Sequence, residues 1–182
     1  MDLWGGYRDG VAKKPWESDT LVTVMSTTKG VSSVALAVAH SRGLIDYDER
    51  VATYWPEFAA NGKEEITVWT LLSHPGGLAV IDEPLDLEIL GDLDAVAAII
   101  AAQAPKWTPG ERHGYHGISL GWYESELIRR TDALGRSIGQ YFSDEVAAPL
   151  GIEFYIGLPD EIDDDRLATI HAYKPAEMLL HL

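Results

Sequence analysis

A helical pattern that begins at Ser26 constrains the fold of this chain more than any other feature of its sequence. Apolar residues recur there at helical spacing, at Val31, Val34, Ala35, Val38 and Ala39. Gly43 follows the last of them and is a typical helix stop. The pattern therefore predicts a long amphipathic helix over residues 26–41.

Shorter helices separated by loops are predicted farther along the chain. They cover residues 67–73, capped by Thr67, residues 94–104, ended by Pro105, residues 118–130, and a last helix that stops before Pro149. Ser137 and Gln140 have the spacing of a capping box at the start of that last helix.

The extended elements expected from the sequence are few and short. Residues 2–11 are rich in aromatic and β-branched residues and predict a short strand or hairpin. Residues 154–156, Phe-Tyr-Ile, suggest a further strand, and residues 44–61 predict a loop with short helical turns.

Composition excludes several classes of function. The 182 residues suit one domain, and 14 Lys and Arg against 29 Asp and Glu leave a charge of −15, which would repel nucleic acid and anionic membranes. The chain has no cysteine and no His-x-x-x-His pair, so we expect no metal and no other cofactor. No stretch approaches the roughly 18 apolar residues of a membrane span. We therefore expect a cytoplasmic protein.

Ser26 and Lys29 form a Ser-x-x-Lys sequence at the start of the predicted long helix. Residues three apart share a helix face, so the hydroxyl and the amine can touch. A serine hydroxyl needs a neighbour that takes its proton, and a lysine can do so only if its pKa falls from about 10.4. The motif alone is weak, because about one is expected by chance in a chain of this length. A polar pair on a solvated helix start is the alternative.

Four motifs follow one another in the order seen in a known family. They are Val-Met-Ser-Thr-Thr-Lys-Gly at residues 24–30, Gly-Leu-Ile-Asp-Tyr-Asp at 43–48, Leu-Leu-Ser-His-Pro-Gly-Gly-Leu at 71–78, and Trp-Thr-Pro-Gly at 107–110, before Tyr115. Over nearly its whole length the chain resembles class C β-lactamase-like serine hydrolases, which include the family VIII esterases. The resemblance implies an α+β fold of the serine β-lactamase and penicillin-binding-protein type, here helix-rich with a small antiparallel sheet. It also implies one domain over residues 1–182.

The same resemblance assigns the proton chemistry to Tyr115. In the family a tyrosine of a Tyr-x-Asn motif acts with the lysine as general base, and a phenol beside an ammonium is easier to ionise. A packed aromatic with a satisfied hydroxyl is the alternative for Tyr115. The next two residues, His116 and Gly117, are the candidate substrate-binding positions. Gly117 replaces the motif's asparagine, so the amide that would bind an acylamide carbonyl is missing, which favours an esterase over a β-lactamase.

The third motif of the family, a Lys-Thr-Gly or His-x-Gly strand, is not found after Tyr115. Lys174-Pro175-Ala176 is not a convincing substitute, and His74-Pro75-Gly76 stands in the wrong chain order. The oxyanion hole would keep the Ser26 N–H and lack its second donor. We therefore expect a chain that is incomplete at its C-terminus, and self-association through exposed sheet edges.

A rival motif places the nucleophile at Ser119. Residues 117–121 match the Gly-x-Ser-x-Gly turn of α/β-hydrolases, but that turn needs a buried strand before it. Residues 110–115 are polar and interrupted by glycine, so Ser119 is better explained as a small residue on a packed helix. The acidic run at residues 163–165 is interpreted as a solvated face, and His74 and His116 as loop hydrogen-bonding residues rather than metal ligands.

Taken together, the motifs predict a serine hydrolase that works through an acyl-enzyme. Ser26 would be acylated while Lys29 and Tyr115 handle its proton. Small-molecule esters with a small acyl group are the expected substrates, amides are a further possibility, and β-lactam hydrolysis would be weak or absent. The alternative is a non-catalytic truncated homologue that acts as a binding module. The missing third motif supports that alternative, and the presence of all three catalytic candidates argues against it.

Overall fold

The computed structural model describes residues 3–172. The chain divides into two compact units, one formed by Met1–Met25 with Leu158–Leu182 and the other by Ser26–Gly157. The assignment of the whole chain to one domain stays a prediction. Lys174-Pro175-Ala176 lies outside the described residues.

The first unit contains the small antiparallel sheet. Strand β1, Tyr7–Asp9, pairs with strand β2, Lys14–Pro15, so the strand predicted over residues 2–11 is present but short. The acidic run has a structural role, because Asp163 caps a 3₁₀ turn at Asp164–Arg166. Self-association through the edges of the sheet stays a prediction.

The second unit is helical. Its helices are α1 Thr27–Ser41, α2 Val51–Tyr54, α3 Val68–Leu72, α4 Leu87–Gly91, α5 Leu93–Ala102, α6 Leu120–Thr131, α7 Ile138–Phe142 and α8 Ala148–Leu150, with a 3₁₀ turn at Pro56–Ala59. The predicted helices are confirmed within two residues at most boundaries, and so are two of their caps. The Thr67 side chain accepts from the Thr70 N–H, and Ser137 and Gln140 form both bonds of the capping box.

The core of this unit lies where α1, α5, α6 and α7 pack together. Apolar side chains fill it, with Leu36, Trp55, Phe58, Ile100, Leu127 and Tyr141 at 1% exposure or less. Lys63 is also fully buried, and its ammonium donates to the carbonyls of Ala60, Ala101 and Gln103. Two of these carbonyls lie at the C-terminal end of α5, so the lysine satisfies backbone groups that a helix end leaves without partners.

Two sequence expectations about residues 138–156 are wrong. The last helix does not stop before Pro149, because a π-helical turn at Ser143–Ala147 leads into α8, which ends at left-handed Gly151. Pro149 follows directly on the π turn, where the regular α-helical hydrogen bonding is already interrupted, so its missing N–H is tolerated there. Residues 154–156 form no strand. Phe154 packs edge-on against Phe142, with ring centroids 5.8 Å apart, so its ring is partly buried against α7.

Helix α4 is not predicted from the sequence. It has five residues, one of them Gly91, and Asp86 caps it by accepting from the Ile89 N–H. Across residues 3–172, no helix is both long and apolar enough to cross a membrane. The same residues contain no group of three or more His, Asp or Glu side chains placed to hold a metal ion. A cytoplasmic location stays a prediction.

Candidate active site

Ser26 lies at the N-cap position of α1, directly before the first helical residue. Met25, just before it, has a φ of 50° in the left-handed region, which side-chain-bearing residues rarely adopt. Backbone strain of this kind costs on the order of 1–3 kcal/mol and is concentrated at functional sites. The serine is exposed, so its hydroxyl is open to a reactant at the positive end of a long helix.

Lys29 is the centre of the arrangement. Its Nζ lies 3.2 Å from Ser26 Oγ and donates to the Gly117 carbonyl oxygen at 2.6 Å. The same nitrogen lies 5.2 Å from the ring centroid of Tyr115. One ammonium therefore joins the start of α1 to the loop that precedes α6.

Tyr115 faces this pair from a loop and is 59% exposed. Hydrogen bonding to Ser26 lowers the pKa of the Tyr115 phenol, burial partly opposes this, and the hydrogen bond and charge of Lys29 lower the pKa further. The structure thus brings Ser26, Lys29 and Tyr115 together, as their predicted roles require. The catalytic roles themselves stay predictions.

Two histidines fix the loop that carries Tyr115. His116 is fully buried; its Nε2 accepts from the Leu78 N–H at 3.0 Å, and its Nδ1 lies 2.7 Å from the Gly114 carbonyl oxygen. This pattern assigns the proton to Nδ1, and burial lowers the pKa of His116. Both ring nitrogens are used within the protein. Substrate contact by His116 stays a prediction, as does contact by Gly117, whose carbonyl is bound to Lys29.

His74 lies between these groups. Its Nδ1 accepts from the His116 backbone N–H at 3.3 Å, and its ring is edge-on to Tyr115 with centroids 5.2 Å apart. Burial, with help from the Lys29 charge, lowers the pKa of His74. The two histidines are hydrogen-bonding loop residues, as expected from the sequence, and they connect the turn after α3 to the loop before α6.

Close packing around Trp107 holds the same two loops. A Cβ on Gly114 would lie 2.3 Å from the Trp107 ring, and one on Gly77 would lie 2.7 Å from the Trp107 carbonyl oxygen. Gly77 also has a φ of 77°, where a side chain is strained. Glycine is thus required at both positions for the loops to meet.

Ser119 has a structural position. It is 1% exposed, and its hydroxyl donates to the Leu78 carbonyl at 2.7 Å. No strand leads directly into it, because residues 112–116 have no regular secondary structure. The interpretation of Ser119 as a packed residue on a helix therefore agrees with the structure.

A cavity of about 480 Å³ opens beside Lys29, between α1, α6 and α7. Its walls are largely apolar and include Leu93, Ile118, Trp122, Ile138 and Ile156. The polar part of the wall includes Lys29, Ser32 and Glu124. Glu124 is not among the site residues predicted from the sequence. It lies four residues after Leu120 and three before Leu127 on the apolar face of α6, a spacing that could have indicated a buried position.

Comparisons with known proteins assign the chain to a family. The Beta-lactamase family model matches residues 1–179. The esterase/beta-lactamase LipL of Mycobacterium tuberculosis is 33% identical over 171 residues, which is 93% of this chain and 39% of LipL.

Two solved structures give the same result for the fold. A family VIII carboxylesterase is 45% identical with a TM-score of 0.87, over 92% of this chain and 46% of that one. A penicillin-binding protein homologue from Caulobacter crescentus is 39% identical with a TM-score of 0.85, over 92% and 44%. The predicted fold of the serine β-lactamase and penicillin-binding-protein type is confirmed. The chain spans less than half of the length of these relatives.

Proposed function

This chain belongs to the Beta-lactamase family, and from that premise we propose that it carries the nucleophile and general base of a serine hydrolase that cleaves carboxylic esters. The observation that carries the proposal is the position of Lys29 Nζ, 3.2 Å from Ser26 Oγ and over the ring of Tyr115. A nucleophile, a cation and an ionisable phenol within reach of each other are the parts that acyl transfer requires.

The proposed reaction begins with attack of Ser26 Oγ on the acyl carbon. The serine proton passes to the Tyr115 phenolate, which the Lys29 ammonium stabilises. The tetrahedral intermediate places its negative oxygen near the Ser26 N–H at the start of α1. When it collapses, the bond to the alcohol oxygen breaks, and the alcohol leaves with the proton held by Tyr115. The Ser26 ester of the acid remains.

The second half returns the enzyme to its starting state. A water molecule gives a proton to the Tyr115 phenolate and attacks the acyl carbon. The bond to Ser26 Oγ then breaks, and the serine recovers its proton as the acid leaves. Gly117 offers no side-chain amide to an acylamino group, so we propose esters with a small acyl group as substrates and weak or no turnover of β-lactams. LipL carries both activities in its name.

A second candidate is a non-catalytic homologue that binds without turnover. It concerns the 182 residues taken alone, which contain no Lys-Thr-Gly or His-x-Gly motif after Tyr115. Such a protein would have no need for an activated serine, so covalent labelling separates the two candidates.

The test is labelling with a fluorophosphonate together with hydrolysis of p-nitrophenyl acetate and butyrate, read by intact mass and peptide mapping. We expect one adduct on Ser26, its loss with ester hydrolysis in Ser26→Ala, and retention of both in Ser119→Ala. An adduct on Ser119 that survives Ser26→Ala would refute the proposal. A folded chain that forms no adduct would favour the binding candidate.

A further inference from the structure

Glu124 is a buried carboxyl group that the hydrolysis proposed above does not use. It is 1% exposed on α6, and Ser32 Oγ on α1 lies 2.6 Å from its Oε2. The same hydroxyl lies 3.0 Å from the backbone carbonyl oxygen of Lys29. A hydroxyl has one proton to give, so Ser32 cannot donate fully to both acceptors.

The protonation state of Glu124 decides which of these bonds forms. When Glu124 is ionised, Ser32 donates to the carboxylate. When Glu124 is neutral, the carboxyl donates to Ser32 Oγ and frees the serine proton for the Lys29 carbonyl. The hydrogen bond that Ser32 donates in the first two turns of α1 therefore differs between the ionised and the neutral state of Glu124.

Lys29 is the cation that acts on Glu124. Both side chains line the cavity between α1, α6 and α7, and among the described residues that line it they are the two charged ones. Of the other titratable groups on α5, α6 and α7, Tyr123 is fully buried with no hydrogen-bond partner for its hydroxyl within residues 3–172, and the charged groups have partners of their own. Asp94 and Glu126 pair with Arg129, Glu126 also pairs with Arg130, and the Tyr141 ring lies against Arg136.

We propose that Glu124 is a positioning residue for Lys29: when ionised, it holds the Lys29 side chain directed at Ser26 and Tyr115, through its charge and through Ser32. The inference rests on the proposed function, because it concerns the rate at which Ser26 is acylated. The Lys29 side chain stabilises the Tyr115 phenolate best when it is held close to the phenol, so acylation should be faster when Glu124 is ionised.

The transition should fall near neutral pH. Burial raises the pKa of Glu124 to about 7, while the Ser32 hydrogen bond and the Lys29 charge partly oppose the increase. Above that pH the carboxylate is present and the arrangement is complete. Below it, Lys29 loses its counter-charge.

The experiment measures the second-order rate of Ser26 labelling by a fluorophosphonate between pH 5.5 and 8.5 in the parent chain, Glu124→Gln, Ser32→Ala and Glu126→Gln. In the parent we expect an inflection near pH 7, with labelling about tenfold faster above it, the effect of one pKa unit of coupling. Glutamine imitates the neutral carboxyl. Glu124→Gln should therefore lack the inflection, match the parent at pH 5.5 and be about tenfold slower at pH 8.5.

The other two variants identify the cause. Glu126→Gln removes a buried carboxylate of the same helix that pairs with arginines, and the inflection should remain. Ser32→Ala removes a bond that favours the ionised form, so its inflection should move to higher pH. Comparison of variants at equal pH cancels any contribution from Tyr115.

An inflection that persists in Glu124→Gln would overturn the inference and leave the hydrolase proposal intact. If Glu124→Gln does not fold by circular dichroism, Ser32→Ala decides, and an inflection unmoved there overturns the inference equally. Absence of Ser26 labelling in the folded parent at every pH would overturn the hydrolase proposal, and the inference with it.

Discussion

Lys29 is half-buried and Lys63 lies in the core of the helical unit, and the two sites differ in what the ammonium contacts. Lys63 is fully buried and donates to three backbone carbonyls. Lys29 donates to one carbonyl, that of Gly117, and faces the hydroxyl of Ser26 and the ring of Tyr115. The ammonium of Lys63 is fully used in hydrogen bonds to the backbone. The ammonium of Lys29 also faces the hydroxyl and the phenol of the proposed reaction. Burial of a lysine is therefore not by itself a sign of function.

Removal of the Lys29 amine should have the largest effect. In Lys29→Ala we expect the acylation rate with an activated ester to fall by about 10²–10⁴-fold, the usual range for loss of general-base catalysis. The melting temperature should change little, since one hydrogen bond to Gly117 is worth about 1 kcal/mol.

Tyr115→Phe, which keeps the ring, should reduce acylation to a similar degree at an unchanged melting temperature. Acylation within threefold of the parent in either variant would contradict the role given to that residue. If Lys29→Ala loses activity only because it unfolds, Lys29 would have the same structural role as Lys63.

Removal of the Lys63 amine should instead reduce stability. Lys63→Met keeps the length of the side chain but leaves three carbonyls without a donor, so the free energy of unfolding should fall by about 3 kcal/mol, at about 1 kcal/mol each. Urea denaturation measures this change. Lys106→Met is the matched control, because Lys106 forms an exposed pair with Asp82 and should change stability by less than about 1 kcal/mol. Equal effects of the two variants would mean that the buried bonds contribute nothing.

The smallest expected effect is a pH dependence of stability at the Lys29 site, caused by Glu124. The pKa of Glu124, beside Lys29, is raised from its ordinary 4.5 to about 7, so the folded chain binds more protons than the unfolded chain between these values. Stability is then lost as pH rises through that window, by up to roughly 3 kcal/mol before partial relaxation of the site.

Glu124→Gln cannot ionise and should match the parent near pH 4.5 and exceed its melting temperature at pH 8. A difference that is the same at both pH values would show that Glu124 does not titrate in this range. The variant should thus be more stable and slower at pH 8, which is expected where a site gives up stability for reactivity.

The parts of the molecule that local sequence determines were predictable. The 3.6-residue period located α1, and the capping residues Thr67 and Ser137 located two helix starts. The Ser26 and Lys29 pair follows from helical spacing alone, and Tyr115 joins it through the resemblance of ordered motifs rather than through spacing.

The parts that escaped prediction depend on contacts between distant residues. Two of the carbonyls bound by Lys63 lie 38 and 40 residues away, and Ser32 lies 92 residues from Glu124. A lysine in the sequence is expected at the surface, and only the packed fold shows that Lys63 is inside, whereas the helical spacing of Glu124 is a signal in the sequence. The passage of the helix through Pro149 depends likewise on a π turn that no local signal indicates.

The contact between Gly114 and Trp107 has a consequence for mutational tolerance. A side chain at position 114 would need space that the indole already fills, and the Gly114 N–H donates to the His74 carbonyl at 3.2 Å, so the backbone there is not free to move away. In a saturation library this position should accept glycine alone, whereas Ile118, at 81% exposure, should accept many residues. Directed evolution of the site would thus have to vary the rim of the cavity and leave the loop beneath Tyr115 unchanged.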